Sequence, residues 1–373
     1  MRYQNVNIET IAYELPPNVV SSASLEQRLA PVYQAMKLQV GQLAALTGIR
    51  ERRYWNPGRT MAHGAALAAK KAIAKSALSA DDIGMLIYAG VCRDFLEPAN
   101  ACEVAHELGL NSRTQVFDVS NACLGVINGV TQVANAIEIG QVRAGMVVSC
   151  ESARQIVDLT IDKLQTCRDM DTLRLSLATL TGGSGAIAVI VTHRDLAPEG
   201  HKLVGGAMRA RPEHHELCKW MYAESGENAR PMHMTTDATA VLEHGVALGR
   251  ETWEAFLENV GWRVEQVDRT ICHQVGAPHR ETVLKLMGVP IERDYQTFEF
   301  LGNIGTVSLP ITAAIADERG FLEKGHRVAM CGIGSGLNCM MLGVQWWSGR
   351  RSQGRVGDAH HDFVLAAGGT CRN

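Results

Sequence analysis

Cys123 lies in Asp118-Val119-Ser120-Asn121-Ala122-Cys123-Leu124-Gly125-Val126-Ile127, where a β-branched run ends in small residues and an apolar, Gly-punctuated segment follows. This pattern predicts a strand-to-helix turn with a thiol at the helix N-terminus. Unpaired N–H groups and the positive end of the macrodipole at such a place favour thiolate over thiol. A thiolate there is a nucleophile for acyl transfer. Read alone, Cys123 is also one of ten cysteines, and most cysteines are small core hydrophobes. Two further positions carry polar chemistry. Ile271-Cys272-His273-Gln274 puts His273 where an apolar strand ends, and Gly302-Asn303-Ile304-Gly305 puts Asn303 in a Gly-bounded loop before a helix. Strand ends and loops are where α/β folds gather reactive groups. Taken singly, the histidine reads as a packed side chain and the asparagine as an ordinary turn.

The elements that must position these residues alternate between strand and helix. In the first half we expect a helix over 65–80, a strand over 83–90, a helix over 103–108, a strand over 116–119, a helix over 123–139 and strands over 144–149 and 185–191. The last of these, Ala186-Ile187-Ala188-Val189-Ile190-Val191, has no polar alternation, as in a sheet covered on both faces. In the second half helices are expected over 253–260, 279–287 and 306–319, and strands over 267–273, 327–331 and 340–346. The order of elements repeats, which suggests two similar halves, residues 1–195 and 196–347, meeting at a shared site. Residues 348–373 are polar, basic and Gly-rich, and read as a mobile tail whose arginines are solvated.

Composition narrows the function classes. The chain has 373 residues, 46% hydrophobic and 20% charged, which describes a globular protein with a large interior. A net charge of −3 offers no global basic field for nucleic acid. The cysteines form no CxxC pair or disulfide framework and fit reduced thiols in the cytoplasm. No apolar run approaches a membrane span and the first residues carry no apolar signal core. His214, His215 and Cys218 lack a second matching pair for a metal and read as a polar helix face, and Gly205-Gly206 lacks the order of a dinucleotide loop.

The ordered set Cys123, His273, Asn303 and the closing loop Gly332-Ile333-Gly334-Ser335-Gly336-Leu337-Asn338 resembles the ketoacyl synthase III branch of the thiolase superfamily. The likeness runs from Thr47-Gly48-Ile49-Arg50-Glu51-Arg52 to the strand ending near Trp346 and includes Thr181-Gly182-Gly183-Ser184-Gly185-Ala186. Arg93-Asp94-Phe95-Leu96-Glu97-Pro98 and Ser120-Asn121-Ala122-Cys123-Leu124 look like the long-chain acyl-CoA thiolase that starts bacterial head-to-head olefin synthesis. The resemblance implies the α/β thiolase fold, five layers in the order α-β-α-β-α. It implies an acyltransferase that joins two fatty acyl-CoA molecules by Claisen condensation without decarboxylation, releasing a β-keto acid, with no metal, flavin or nicotinamide and acyl-CoA as the substrate. Cys123 would carry the acyl group, with the backbone N–H groups of Cys123 and Ser335 holding the oxyanion. His273 and Asn303 would hold the enolate oxygen. Glu97 would remove the α-proton, since a condensation that loses no CO₂ needs a base; Asp94 is the rival carboxylate. In that family the glutamate loop serves the partner subunit, so a homodimer is expected, working beside downstream olefin-pathway enzymes. The alternatives are a decarboxylative 3-oxoacyl-ACP synthase III using malonyl-ACP, and a non-catalytic acyl-binding subunit of a heteromer. The tryptophan that clamps the CoA adenine in many synthases of this branch has no counterpart at Gly41-Gln42-Leu43.

Overall fold

Three apolar runs, Met85–Ala89, Ala144–Glu151 and Gly185–His193, are buried on both faces almost throughout, and they form the middle of the first half of a mixed sheet. The computed structural model describes residues 1–222 and 232–347, so the tail expected over 348–373 lies outside the described residues. Nine strands form one continuous sheet among those residues. Across it they run Arg269–Cys272, Arg327–Gly334, Asn338–Gln345, His201–Ala210, Val6–Glu14, Gly185–His193, Ala144–Glu151, Met85–Ala89 and Gln115–Val119. The order is nearly palindromic about the junction of Val6–Glu14 with His201–Ala210. Outer strands pair in parallel and inner ones antiparallel in both halves. Val6–Glu14 and His201–Ala210 pair through Asn7 with Lys202 and Ile8 with His201, and a bridge between Arg2 and Gly205 extends the seam. In the second half the outermost strand is reduced to a single bridge between Thr270 and Asp294.

Helices sort into three layers around these strands. Met61–Lys75 and Asn100–Leu108 cover one outer face, with Ala62, Ala65 and Ala69 against Leu86, Tyr88 and Met146. Ala238–Val260 and Ala277–Met287 cover the other, with Trp253 and Phe256 against Ala329 and Met341. Between the two half-sheets lie Gly125–Glu138 and Ser308–Glu318, whose Val130 and Ile311 share one core with Ile87, Val147, Met330 and Leu342. Ser308–Glu318 is buried as far as Ala316, as a helix apolar on all sides must be, and Gly125–Glu138 exposes only Gln132 and Asn135. The close approach is permitted by glycine: a Cβ on Gly129 would stand 2.6 Å from Val147 Cγ1, and one on Gly145 would stand 2.7 Å from Val133 Cγ1. These layers are the α-β-α-β-α arrangement expected of the thiolase fold.

Several elements differ from the sequence reading. The helix expected over 253–260 begins at Ala238 and runs 23 residues, capped by the Asp237 side chain accepting from the Ala240 N–H. Val6–Glu14 and His201–Ala210, the two strands at the junction, carry polar residues and went unread, as did the helices Arg154–Cys167 and Met170–Leu180. Residues 212–217 form a short 3-10 helix and Cys218 opens a strand, so His214, His215 and Cys218 do not share the helix face expected of them. Residue 195 lies in the turn between Gly185–His193 and His201–Ala210.

Candidate active site

The turn carrying Cys123 is built as the small residues require. Gln115–Val119 ends the strand, Ala122 takes a left-handed φ of 43°, and the helix begins at Gly125. A non-glycine residue in that region is held there only by its surroundings and marks a turn that aims the next side chain. The Leu124 N–H donates to Asn121 O (2.9 Å) and the Asn121 amide donates to Asn128 Oδ1 (2.7 Å), which lock the turn to the helix.

Asn303 is drawn to the same place by its neighbours. Its N–H donates to Thr181 O (3.0 Å) and its carbonyl accepts from Gly183 N–H (2.9 Å), so the two glycine motifs pair as a bridge. Gly302 has a left-handed φ of 69°, and a Cβ there would stand 2.5 Å from Thr181 O. Thr306 Oγ1 then accepts from the Val126 N–H (2.8 Å), docking the loop on the first turn of the helix after Cys123. The Asn303 Oδ1 accepts from Gly305 N–H (3.1 Å), which leaves the Nδ2 donor without a partner among the described residues.

His273 follows the strand Arg269–Cys272, and its N–H donates to Cys331 O (2.9 Å), fixing it beside the closing loop. The residue is buried, and its Nδ1 has no hydrogen-bond partner. Burial, and then the neighbouring His279, hold the imidazole down to about 3. His273 is therefore neutral at any working pH and presents at most one N–H. The closing loop reaches the nucleophile through Gly334, where a Cβ would stand 3.3 Å from the Cys123 backbone nitrogen. Ser335 is next in the chain, and its carbonyl accepts from the Asn338 amide (3.3 Å), which also donates to Asn121 (3.2 Å).

The electrostatics at Cys123 overturn one expectation. Cys123 keeps some solvent contact, yet burial of the sulfur, followed by Cys218 and Glu151, pushes the thiol up to about 12. The helix starts two residues later than expected, so its positive end does not outweigh desolvation. The resting group is a thiol.

The two carboxylates of the 92–98 loop separate cleanly. Asp94 accepts from the N–H groups of Met61 and Ala62, both at 2.8 Å, and from the Asn100 amide at 3.1 Å. It caps the helix Met61–Lys75 and is committed there. Glu97 is exposed at the loop tip between the equally exposed Leu96 and Pro98, with no hydrogen bond or ion pair among the described residues. Within one chain, then, the Asn303 loop docks on the helix after Cys123, Gly334 lies against the Cys123 backbone and His273 is fixed to the strand that carries Gly334, while Glu97 is exposed. Sequence reasoning missed Glu151, a buried acid that accepts from the Val91 N–H (2.9 Å) and the Cys92 N–H (3.2 Å). The available signal was an acid closing the apolar run Ala144–Cys150. The described residues hold no group of three or more His, Cys, Asp or Glu arranged for a metal.

Known proteins resemble this chain over most of its length. The 3-oxoacyl-[acyl-carrier-protein] synthase III family matches residues 117–212, and its C-terminal companion matches residues 257–346. An acyl-CoA:acyl-CoA alkyltransferase of Shewanella oneidensis is 52% identical over 349 residues, 93% of this chain and 100% of that protein. The protein of the same name from Xanthomonas campestris is 35% identical over 93% of this chain and 100% of its own length. A crystal structure of a cysteine-to-serine variant of Xanthomonas campestris OleA, with bound lauric acid and lauroyl-CoA, superposes with a TM-score of 0.86. That chain is 34% identical, with 92% of this chain and 100% of the other covered. Agreement at this level over 93% of this chain and the whole of both relatives assigns this protein to the acyl-CoA:acyl-CoA alkyltransferase family, within the larger group of 3-oxoacyl-[acyl-carrier-protein] synthase III proteins.

Proposed function

We infer that the chain joins two fatty acyl-CoA thioesters by a Claisen condensation that loses no CO₂, giving a β-keto acid. The observation that carries this reading is the pairing of two neutral donors, His273 and the free Asn303 Nδ2, with a glutamate left unpartnered at a loop tip. Donors of this kind suit an enolate oxygen, and a free carboxylate suits α-proton removal.

In the first half-reaction the Cys123 sulfur attacks the thioester carbonyl of one acyl-CoA. The thiol proton leaves with the CoA sulfur as free CoA, and the backbone N–H groups of Cys123 and Ser335 hold the oxyanion. Loss of one such donor costs about 3 kcal/mol of barrier. In the second, Glu97 takes the α-proton of another acyl-CoA while His273 and Asn303 hold its enolate oxygen. The enolate carbon attacks the acyl-cysteine carbonyl and expels the Cys123 thiolate, which is reprotonated. Hydrolysis of the resulting β-keto thioester releases CoA and the β-keto acid. The reading needs no metal or redox cofactor.

Glu97 serves the partner's site in a homodimer. Support comes from the edge strand Gln115–Val119, whose Phe117 is exposed, as are Phe95 and Leu96 of the loop that carries Glu97. An unpaired apolar edge of this kind calls for a cover. A cavity of about 1040 Å³ beside it, lined by Val91, Cys92, Ser120, Arg154 and Trp220, gives room for a neighbouring loop. Nine free cysteines among the described residues, and no helix there long and apolar enough to cross a membrane, agree with a cytoplasmic enzyme. The test supplies a saturated acyl-CoA alone: free CoA and a β-keto acid should form, and Glu97→Ala should keep the acyl-enzyme but lose the product. Condensation only when malonyl-CoA or a malonyl carrier protein is added, with Glu97→Ala active, would overturn the reading in favour of a decarboxylative synthase.

A further inference from the structure

Glu151 is buried, forms no ion pair among the described residues, and takes no part in the reaction sequence above. A carboxylate without a cation in a protein interior is costly and persists only where its hydrogen bonds hold something in place. Its two oxygens accept from the N–H groups of Val91 (2.9 Å) and Cys92 (3.2 Å), which follow Gly90 at the end of the strand Met85–Ala89. No other described group accepts from those two N–H groups. Gly90 gives the carboxylate room, since a Cβ there would stand 3.3 Å from Glu151 Oε1. The backbone of Glu151 is itself fixed, its carbonyl accepting from Trp55 Nε1 at 3.1 Å. Further along the same loop Asp94 is tied to Met61, Ala62 and Asn100, and Asn100 and Ala101 donate to Asp118 (2.9 Å each). The Tyr88 hydroxyl also donates to Cys92 O (2.7 Å) and the Ser152 N–H donates to Cys92 Sγ (3.4 Å), so Glu151 shares the root of the loop with these contacts, and only Phe95–Pro98 projects. The opposite side of Glu151 meets the turn after Asn303, where a Cβ on Gly305 would lie 3.4 Å from Glu151 Cγ.

We propose that Glu151 is a positioning residue for the condensation, clamping the root of the 91–98 loop so that Glu97 is held at the height from which it reaches the α-carbon. The proposal rests on the role given to Glu97 above and adds the residue that sets its reach. Displacing a reacting group by about 1 Å costs on the order of 10²-fold in rate. Glu151→Gln keeps the shape but turns an amide N–H₂ against a backbone N–H, so the clamp loosens, and removing a charge that helps raise the Cys123 thiol should not slow acyl loading.

The test uses purified heterodimers of differently tagged chains in which one chain carries Cys123→Ser, leaving a single live cysteine per dimer. Glu151→Gln is placed either on the Cys123→Ser chain or on the chain with the live cysteine, and Glu97→Ala is placed in the same two ways as the reference. The clamp requires the Glu151→Gln defect to appear in whichever arrangement shows the Glu97→Ala defect. Condensation should fall on the order of 10²-fold there and stay within about threefold in the other, with acyl loading of Cys123 intact in both. Glu151→Asp should recover part of the loss. Failure of Glu97→Ala in both arrangements would defeat the base assignment itself. A Glu97→Ala defect with Glu151→Gln inert, defective in the opposite arrangement, or defective in acyl loading would defeat the clamp alone. Should Glu151→Gln yield no folded dimer, Glu151→Asp is read in the same arrangements against the same outcomes.

Discussion

The neutral state of His273 makes a prediction that can be worked through in numbers. Its imidazole is held down to about 3 by burial and then by His279, against an ordinary value near 6.5. A base whose folded value lies below its unfolded value binds fewer protons when folded, so stability is lost as the pH falls below about 6.5. At pH 5 the unfolded chain carries this proton almost fully, whereas about 1% of folded molecules do. The difference is about 2 kcal/mol of stability at pH 5 relative to pH 7.5, approaching about 5 kcal/mol below pH 3. Denaturant unfolding of the wild type and of His273→Asn at pH 7.5 and 5.0 measures it. The gap between the two pH values should shrink by about 2 kcal/mol in the variant, because asparagine has nothing to titrate. The same reasoning governs the reaction. Single-turnover condensation from preloaded acyl-enzyme should show no inflection near pH 6.5 in the wild type, and His273→Asn should lower its rate without moving its pH profile. A wild-type inflection near pH 6.5 that vanishes in His273→Asn would mean the imidazole titrates in the working range, and the burial argument would be wrong.

Three other outcomes follow from the same geometry. Gly183→Ala places a Cβ 2.1 Å from Leu301 O, so the turn that holds Asn303 must open; we expect a loss of roughly 1–3 kcal/mol in denaturant unfolding, together with a collapse of condensation that spares acyl loading. Asp94→Asn should lower stability by about 1 kcal/mol, as a weakened helix cap does, and keep condensation within about tenfold, whereas Glu97→Ala should leave stability unchanged and lose condensation. The reverse pattern, scored by unfolding and product yield, would make Asp94 the base. Alkylation of Cys123 by iodoacetamide, followed by peptide mass spectrometry, should rise about tenfold per pH unit from 7 to 9 without levelling, since the thiol is pushed up to about 12; a plateau below pH 9 would mean the thiolate is already formed in the resting enzyme.

Local pattern carried much of this protein. The small residues between Val119 and Gly125 demand a tight turn, the glycines around Asn303 demand a bend, and unbroken apolar runs such as Ala186–Val191 demand burial on two faces. Those requirements act over a few residues, so the chain order of Cys123, His273 and Asn303 could be read without coordinates. What a side chain faces is a different matter, because it depends on segments far apart in the chain. Asp94 and Glu97 are near-identical acids three residues apart, and only the approach of Met61 and Ala62 commits one and leaves the other free. Glu151 closes an apolar strand, and only the fold sets it against Val91, Cys92 and Gly305. The strands Val6–Glu14 and His201–Ala210 are too polar to be read as core, yet they join the two halves because both lie at the sheet's centre. The protonation of Cys123 follows the same rule. A helix N-terminus written in the sequence favours thiolate, but desolvation by the assembled interior is the larger effect, and it exists only once the chain has folded.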